Sequence, residues 1–196
     1  MKHHTWSDWD WSDSNWKLDP DRSISPPTSL SFFNTPLTLN LCNLADAICL
    51  PQGKLATYHY AYSQLAGIIH FRNQEPAPDA SFTNCYYVKL EVHRVRLYRR
   101  VNNVDTLLGD WDPYNPNNNW RLWTVTWWLY HAPYQEPALR IRINGAVSGE
   151  TSSWQEQVDD PANQWATSEV NRCGLAGIAP TWAQNFDDTE IWLPTP

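Results

Sequence analysis

The sequence predicts an all-β fold in which two antiparallel sheets form a sandwich. The composition favours strands, because the 196 residues include 13 Trp and 9 Tyr but only 7 Gly and 1 Met, and aromatic residues prefer strands. Short runs of alternating apolar and polar residues recur along the chain, and turn-forming residues separate them. Because alternation buries one face of a strand and exposes the other, two sheets packed face to face account for this pattern.

A Trp-rich arm precedes the strands. Residues 1–27 contain four Trp among Asp and Ser, lack helical periodicity and are too aromatic for a solvated tail. We expect this arm to be ordered and to pack on the body or on a neighbouring subunit. The remaining residues, 28–196, have the length of a single domain. Strands are predicted in this domain at Thr28–Phe33, Leu37–Leu41, Lys54–Tyr62, Gly67–Arg72, Tyr86–Val92, Val95–Val101, Arg121–Tyr130, Ala138–Ile143, Gly174–Ala179 and Asp188–Leu193.

The alternation also predicts which side chains face outward. In Arg121–Tyr130, Trp127 belongs to the inward set, whereas Trp128 and Tyr130 point outward. In the next strand Arg140 and Arg142 emerge outward, on the side of Trp128. The strand Gly67–Arg72 follows Lys54–Tyr62 within the reach of a hairpin.

Three segments are predicted to interrupt the strands. Asn144-Gly145 is a strong hairpin-turn signal, because both residues tolerate positive φ. Asp110–Asn119 is polar and rich in Asn and Pro, which predicts a projecting loop. Ser148–Asn171 is predicted to be a polar excursion with a short helix near Gln155–Val158.

Charge and hydropathy exclude several classes of partner. The net charge of −7 argues against binding to a nucleic-acid backbone, which requires a basic surface. No run approaches the roughly 20 apolar residues of a membrane span. The first 25 residues contain no apolar core of a secretory signal, so we expect synthesis in the cytoplasm.

Four cysteines leave the redox state open. Cys42 and Cys49 flank a short loop and could pair locally, and the absence of a C-x-x-C pair argues against a zinc site. Cys85 and Cys173 each begin a predicted strand. Four buried thiols are an equally good interpretation.

Three motifs occur in an order that resembles the concanavalin A-like lectin/glucanase superfamily, the laminin-G-type jelly rolls. They are GIIHFR at Gly67–Arg72, NCYYVKL at Asn84–Leu90 and FDDTEIWL at Phe186–Leu193. The resemblance extends from about Thr28 to Leu193 and implies a jelly roll. It also implies that the starting ends of the Cys85 and Cys173 strands could approach each other.

The resemblance implies a saccharide groove beside the middle strands. A sugar site needs an aromatic plate together with planar donors and acceptors for hydroxyl groups, and the outward residues supply both. The candidate carbohydrate-binding residues are Trp128, Tyr130, Arg140, Arg142, His70, Arg72 and Glu91. The alternative is an ordinary amphipathic face on which Arg stems cover aromatic rings, or a contact with another protein.

Two further sites follow from the resemblance. Rim loops of such sandwiches bind ligands, so Trp111, Tyr114 and Trp120 are candidates in the loop that ends at residue 120. Asp187 and Asp188 stand where many members place a carboxylate near structural calcium, and no other cofactor is implied. The alternative for both aspartates is turn and strand-end chemistry.

The sequence favours a non-catalytic protein. The paired carboxylates on one strand that glucanases of this superfamily use are absent. We expect a surface or virion structural protein, such as a phage decoration or tail component, that can also contact polysaccharide. Its partners would then be glycan or coat subunits within a larger assembly, at a virion or cell surface. The alternatives are a carbohydrate-binding module whose main role is glycan recognition, and a divergent glycoside hydrolase.

Overall fold

The protein is described by a computed structural model that covers residues 2–3, 9–11, 16–19, 29–32, 39–44, 51–60, 66–74, 83–91, 93–113, 119–131, 136–147, 153–168, 171–178 and 184–192. Before residue 51 only the backbone is described. Within these ranges the regular elements are all strands. No helix in them is long and apolar enough to cross a membrane.

Fifteen strands form the described part of the chain. They are β1 (Lys2–His3), β2 (Trp9–Trp11), β3 (Trp16–Asp19), β4 (Ser29–Phe32), β5 (Leu39–Leu44), β6 (Gly53–Tyr60), β7 (Ala66–Asn73), β8 (Cys85–Leu90), β9 (Val95–Val101), β10 (Val104–Trp111), β11 (Trp120–Tyr130), β12 (Ala138–Val147), β13 (Ser153–Asp160), β14 (Arg172–Ile178) and β15 (Gln184–Trp192).

The strands form two antiparallel sheets, which confirms the predicted sandwich. Sheet A has the order β13-β12-β11-β6-β15-β4-β3, and β1 also pairs with β15. Sheet B has the order β10-β9-β8-β7-β14-β5-β2. Consecutive strands β6 and β7 lie in different sheets, so the hairpin relation expected between them is wrong.

The hydrophobic core lies between the sheets and confirms the predicted strand faces. Trp123, Val125 and Trp127 of β11 are fully buried and meet core residues of sheet B. The ring of Trp127 stacks on that of Phe71, with centroids 4.8 Å apart. Because side chains alternate along a strand, the burial of Trp127 turns Trp128 toward the outer face of sheet A.

The Trp-rich arm contributes strands to both sheets. Its strand β1 pairs with β15, β2 with β5, and β3 with β4. The arm's side chains lie outside the described part of the structure.

The Asn144-Gly145 turn prediction is wrong, because β12 continues through both residues. Asn144 pairs with Thr124 and Gln155, and Gly145 pairs with Trp123 and Trp154. A Cβ atom on Gly145 would lie 2.5 Å from Cζ3 of Trp123. The glycine therefore makes room for a buried indole.

Two other segments also form strands where none was expected. The predicted helix at Gln155–Val158 is wrong, because these residues belong to β13 at the edge of sheet A. Strand β10 begins at Val104 and includes the first two residues of the predicted loop Asp110–Asn119. Both are outermost strands, where an inward-facing side need not be continuously apolar.

Candidate functional site

The outer face of sheet A carries a row of side chains that crosses four strands. In register, Trp192 of β15 is opposite Lys54 of β6, Lys54 is opposite Thr126 of β11, and Thr126 is opposite Arg142 of β12. All four side chains are partly buried. Their inward neighbours Leu55 and Ile191 belong to the core, so the row faces solvent.

Aromatic rings and cations associate on this face. Nζ of Lys54 lies 4.0 Å from the centroid of the Trp192 ring. The guanidinium carbon of Arg142 lies 5.3 Å from the centroid of the Trp128 ring. Two indole–cation pairs therefore flank Thr126.

Tyr130 and Arg140 form a separate unit in which the groups satisfy one another. The guanidinium of Arg140 lies 3.4 Å from the Tyr130 ring centroid and donates two hydrogen bonds to Asp159, at 2.6 and 2.7 Å. The bond from Arg140 lowers the pKa of Asp159, although burial acts in the opposite direction. A ligand would have to displace the Arg140 side chain to reach this face of Tyr130.

Two adjoining depressions lie beside the row. The larger, of about 480 Å³, is lined by Lys54, Ala56, Tyr58, Leu122, Thr124, Asp188, Glu190 and Trp192. The smaller, of about 200 Å³, is lined by Gln52, Gly53, Lys54, Thr126, Trp127, Trp128 and Trp192. Lys54 and Trp192 line both, so the depressions form one groove on the outer face of sheet A.

We call this surface the Trp128–Trp192 groove and define it by Lys54, Thr124, Thr126, Trp128, Glu190 and Trp192. It combines indole surfaces with hydroxyl, ammonium and carboxylate groups. Indoles supply large apolar faces with one polar N–H each. The other groups donate and accept hydrogen bonds at close range. Such a set can hold a ligand that has both apolar faces and many hydroxyl groups.

The structure divides the predicted carbohydrate-binding residues between two surfaces. Trp128, Tyr130, Arg140 and Arg142 lie together on the outer face of sheet A. His70, Arg72 and Glu91 are associated with sheet B instead, in β7 and just after β8. The prediction that all seven residues line a single groove is therefore wrong.

His70 and Glu91 are both engaged within sheet B. His70 is fully buried and pairs in register with Tyr87. The Glu91 carboxylate contacts Lys89 at 2.9 Å and also pairs with Arg96. Burial raises the pKa of Glu91, but the hydrogen bonds and charges of these two cations outweigh it and lower the pKa below its ordinary value. Both residues therefore contribute to the packing and ion pairing of sheet B, and neither lies on the outer face of sheet A.

Arg72 is buried at the end of the sandwich. Its guanidinium donates to the carbonyl of Pro51 at 2.8 Å, to Oδ1 of Asn163 at 2.9 Å and to the carbonyl of Gln164 at 2.8 Å. Burial lowers the pKa of Arg72 to about 10, which leaves it cationic at neutral pH. Arg72 therefore fixes the turn that follows β13.

Tyr86 and Asp160 complete this polar junction. The Tyr86 hydroxyl donates to Asp160 at 2.6 Å and accepts the amide N–H of Gln164 at 3.0 Å. Arg99 donates to the other oxygen of Asp160 at 2.6 Å. Burial and the bond to Asp160 raise the pKa of Tyr86. The junction holds both sheets against the turn.

The predicted rim-loop residues do not form one projecting site. Trp111 packs against the core and makes an edge contact with Trp154 at 5.9 Å. Trp120 begins β11, and its ring lies 5.3 Å from that of Tyr60. Tyr114 lies outside the described residues. The expectation of a projecting Trp111 is therefore wrong.

Asp187 and Asp188 form a bulge in β15. The pairing with β6 shifts register between Asp187 and Glu190, and Asp188 has a φ of 44°. Oδ1 of Asp187 accepts the Asp188 amide N–H at 2.9 Å. Among the described side chains, no third His, Cys, Asp or Glu joins them in a metal-like cluster. The donor set present fits turn chemistry, and calcium binding stays a prediction.

Cys85 and Cys173 lie at the same end of β7, one on each side of it, but they do not pair with each other. Their strands β8 and β14 lie on opposite sides of β7. Cys173 is part of the core between the sheets, whereas Cys85 belongs to a small cluster with Ile68, Tyr87 and Ala176. Both are buried and neither forms a disulfide. Cys49 and the side chain of Cys42 lie outside the described part.

Sequence reasoning did not include Lys54 and Trp192 in the site. Alternation turns Lys54 to the face of its strand away from the buried Leu55, and the same rule turns Trp192 to the face away from Ile191. What the sequence lacked was the order of strands, which brings β15 next to β6. Only that long-range pairing sets Trp192 beside Lys54.

Three solved structures share the fold. The carbohydrate-binding module CBM66 from Bacillus subtilis superposes with a TM-score of 0.59 at 9% identity and covers 94% of both chains. The marine PL-14 alginate lyase from Aplysia kurodai gives a TM-score of 0.62 at 10% identity over 94% of this chain and 89% of the lyase. The winged bean acidic lectin, complexed with methyl-alpha-D-galactose, gives a TM-score of 0.52 at 10% identity over 91% of this chain and 94% of the lectin.

These likenesses establish the fold, a jelly-roll-like sandwich consistent with the lectin/glucanase resemblance. At such low identity they carry no residue roles. No protein-family model matches the chain, and no curated protein matches it in sequence.

Proposed function

We propose that this protein binds glycans without catalysis and that the Trp128–Trp192 groove is the binding surface. One observation carries the proposal: two indoles, each beside a cation, flank Thr126 on a solvent-facing sheet. Pyranose rings offer apolar faces to aromatic plates and hydroxyl groups to polar neighbours.

The sheet holds these side chains in place. The pairing of β6 with β11 fixes the spacing of Lys54 and Thr126. Their neighbours along the strands, Leu55, Val125 and Trp127, are buried in the core, which keeps the side chains of the row on the outer face. A site built on strands loses less conformational entropy on binding than a site on a mobile loop. The similarity to a carbohydrate-binding module and a lectin supports the same class of ligand.

Catalysis and an assembly role are weaker proposals. An alginate lyase shares the fold, and Asp188 and Glu190 both line the larger depression, so product release from each bound polymer should be measured. The role as a virion or cell-surface structural protein stays a prediction from the Trp-rich arm.

Binding to a panel of soluble polysaccharides, measured by retardation in native gels, tests the proposal. Trp128→Ala and Trp192→Ala should each weaken the binding of a retained polymer by about 1–3 kcal/mol, or roughly 5- to 150-fold. Tyr98→Ala is the matched control, because Tyr98 stacks on Tyr87 on the opposite sheet, with centroids 4.9 Å apart.

The same gels distinguish the alternatives. If a polymer retards the Trp128→Ala and Trp192→Ala variants as strongly as it retards the wild-type protein, the binding surface lies elsewhere. Shortened or unsaturated products in the polymer would overturn the non-catalytic assignment.

A further inference from the structure

Lys54 of the Trp128–Trp192 groove and Arg142, which lies beside Trp128 at its edge, differ from five other cations of the two sheets. Arg94, Arg96, Arg99, Arg100 and Arg140 each form an ion pair with an Asp or Glu. Within the described ranges, neither Lys54 nor Arg142 contacts a carboxylate.

The few contacts that Lys54 and Arg142 make do not neutralise them. Lys54 lies over the ring of Trp192. Arg142 donates to the uncharged amide oxygen of Gln157 at 3.1 Å, and its Nε is buried without a hydrogen-bond partner among the described residues. Both side chains therefore keep their positive charge available to a ligand.

The register sets the spacing of these charges. Thr126 is opposite Lys54 on one side and Arg142 on the other. Neighbouring strands are about 4.8 Å apart, so the two Cα atoms are roughly 10 Å apart. Long side chains from such positions can reach one anionic group between them.

We infer that the groove selects anionic glycans, with a carboxylate or sulfate group held between Lys54 and Arg142. This inference rests on the proposed function of the groove. The indoles of Trp128 and Trp192 would contact the sugar rings on either side of that group. Ion pairs between a ligand anion and partly buried cations are stronger than hydrogen bonds to neutral hydroxyls.

The opposite end of the groove gives the ligand a direction. Asp188 and Glu190 line the larger depression on the side away from Trp128. Their negative charge repels a second anion there, and carboxylate oxygens accept hydrogen bonds from hydroxyl groups. The anionic group is therefore placed at the Trp128 end, and neutral hydroxyls at the Glu190 end.

Matched polymers separate charge from sugar recognition. Polygalacturonate would be compared with its carboxyl-reduced product, and dextran sulfate with dextran, by native-gel retardation and calorimetry. We expect the anionic member of a pair to bind at least tenfold more tightly than its neutral partner, and to weaken as salt is raised. Whether the carboxylated or the sulfated polymer shows this preference identifies the anion. Since the protein carries a net charge of −7, nonspecific attraction of polyanions is disfavoured.

Charge-removing variants locate the anion site. Lys54→Met and Arg142→Gln should each weaken the binding of the anionic polymer roughly 10- to 100-fold, with little effect on the binding of a neutral polymer. Arg142→Lys, which keeps the charge, should restore most of the binding. Lys89→Met is the control, because Lys89 pairs with Glu91 on sheet B.

Each outcome decides the matter. Equal binding of the anionic and neutral members overturns the charge selection and leaves the glycan-binding proposal standing. An anionic preference that survives both Lys54→Met and Arg142→Gln overturns the assignment of these residues. If no polymer in a broad panel is retained, the proposed function fails, and this inference fails with it.

Discussion

Adjacent tryptophans Trp127 and Trp128 offer a matched pair of substitutions with opposite expected effects. Trp127 is fully buried and stacks on Phe71, so Trp127→Ala removes core packing. Replacing a buried Trp by Ala costs about 3–5 kcal/mol of folding free energy. With a denaturant dependence of roughly 2 kcal/mol per molar urea, the unfolding midpoint should fall by about 1.5–2.5 M.

Trp128→Ala should behave differently, because Trp128 is only partly buried on the outer face. The contact with Arg142, at 5.3 Å, is of the exposed cation–π type, worth about 0.5–1 kcal/mol. We therefore expect a midpoint shift of about 0.5 M or less, together with weaker glycan binding. Urea unfolding followed by far-ultraviolet circular dichroism measures both variants. Equal destabilisation of the two would show that Trp128 is a core residue and would refute the outward face.

Three further predictions concern the fold and its charges. Gly145→Ala should destabilise the protein by about 1–3 kcal/mol in urea, because its Cβ would press on the buried ring of Trp123. Tyr86→Phe should cost about 1–3 kcal/mol and lower the melting temperature, since it removes the donor to Oδ2 of buried Asp160 and leaves only the bonds to Oδ1, such as that from Arg99. Glu91→Gln should lessen the loss of stability between pH 5 and pH 3. The reason is that burial raises the pKa of Glu91 but its two cationic partners lower it on balance. The stabilisation that the Glu91 carboxylate gives the wild-type protein is thus present at pH values above its unfolded pKa of about 4.3. It is lost as the pH falls through the lower pKa of Glu91 in the folded protein.

Specific results would contradict these expectations. A Gly145→Ala protein as stable as the parent would mean that the Trp123 ring can move aside. An unchanged melting temperature for Tyr86→Phe would show that Asp160 is satisfied by its other partners. An identical acid profile for Glu91→Gln would show that the carboxylate contributes nothing between pH 3 and pH 5.

Local patterns predicted the strands and their faces well. The alternation in Arg121–Tyr130 correctly separated buried Trp127 from outward Trp128, because a side-chain period of two is a property of the strand alone. The prediction of a turn at Gly145 was wrong. Glycine is favoured both in turns and where a side chain packs closely against the backbone, and the sequence alone does not distinguish these two cases. Here the ring of Trp123 packs against Gly145. Local patterns also failed at β13, an edge strand whose sequence is largely polar.

The candidate site was harder to predict because it depends on sheet order. His70 and Trp128 both belong to strands with clear patterns, but nothing local assigns those strands to different sheets. Trp192 was not considered for the site, although its outward face follows from alternation. Long-range pairing of β15 with β6 is needed to place it beside Lys54.

Mapping of a bound oligosaccharide by nuclear magnetic resonance tests the central claim most directly. A short fragment of a polymer retained in the gels would be titrated into isotopically labelled protein, with Trp128→Phe and Trp192→Phe used to assign their indole N–H signals. The account predicts that these two signals and the amides around Thr126 shift together and saturate with one dissociation constant. Shifts confined to the outer face of sheet B, around Tyr98 and Lys89, would contradict it.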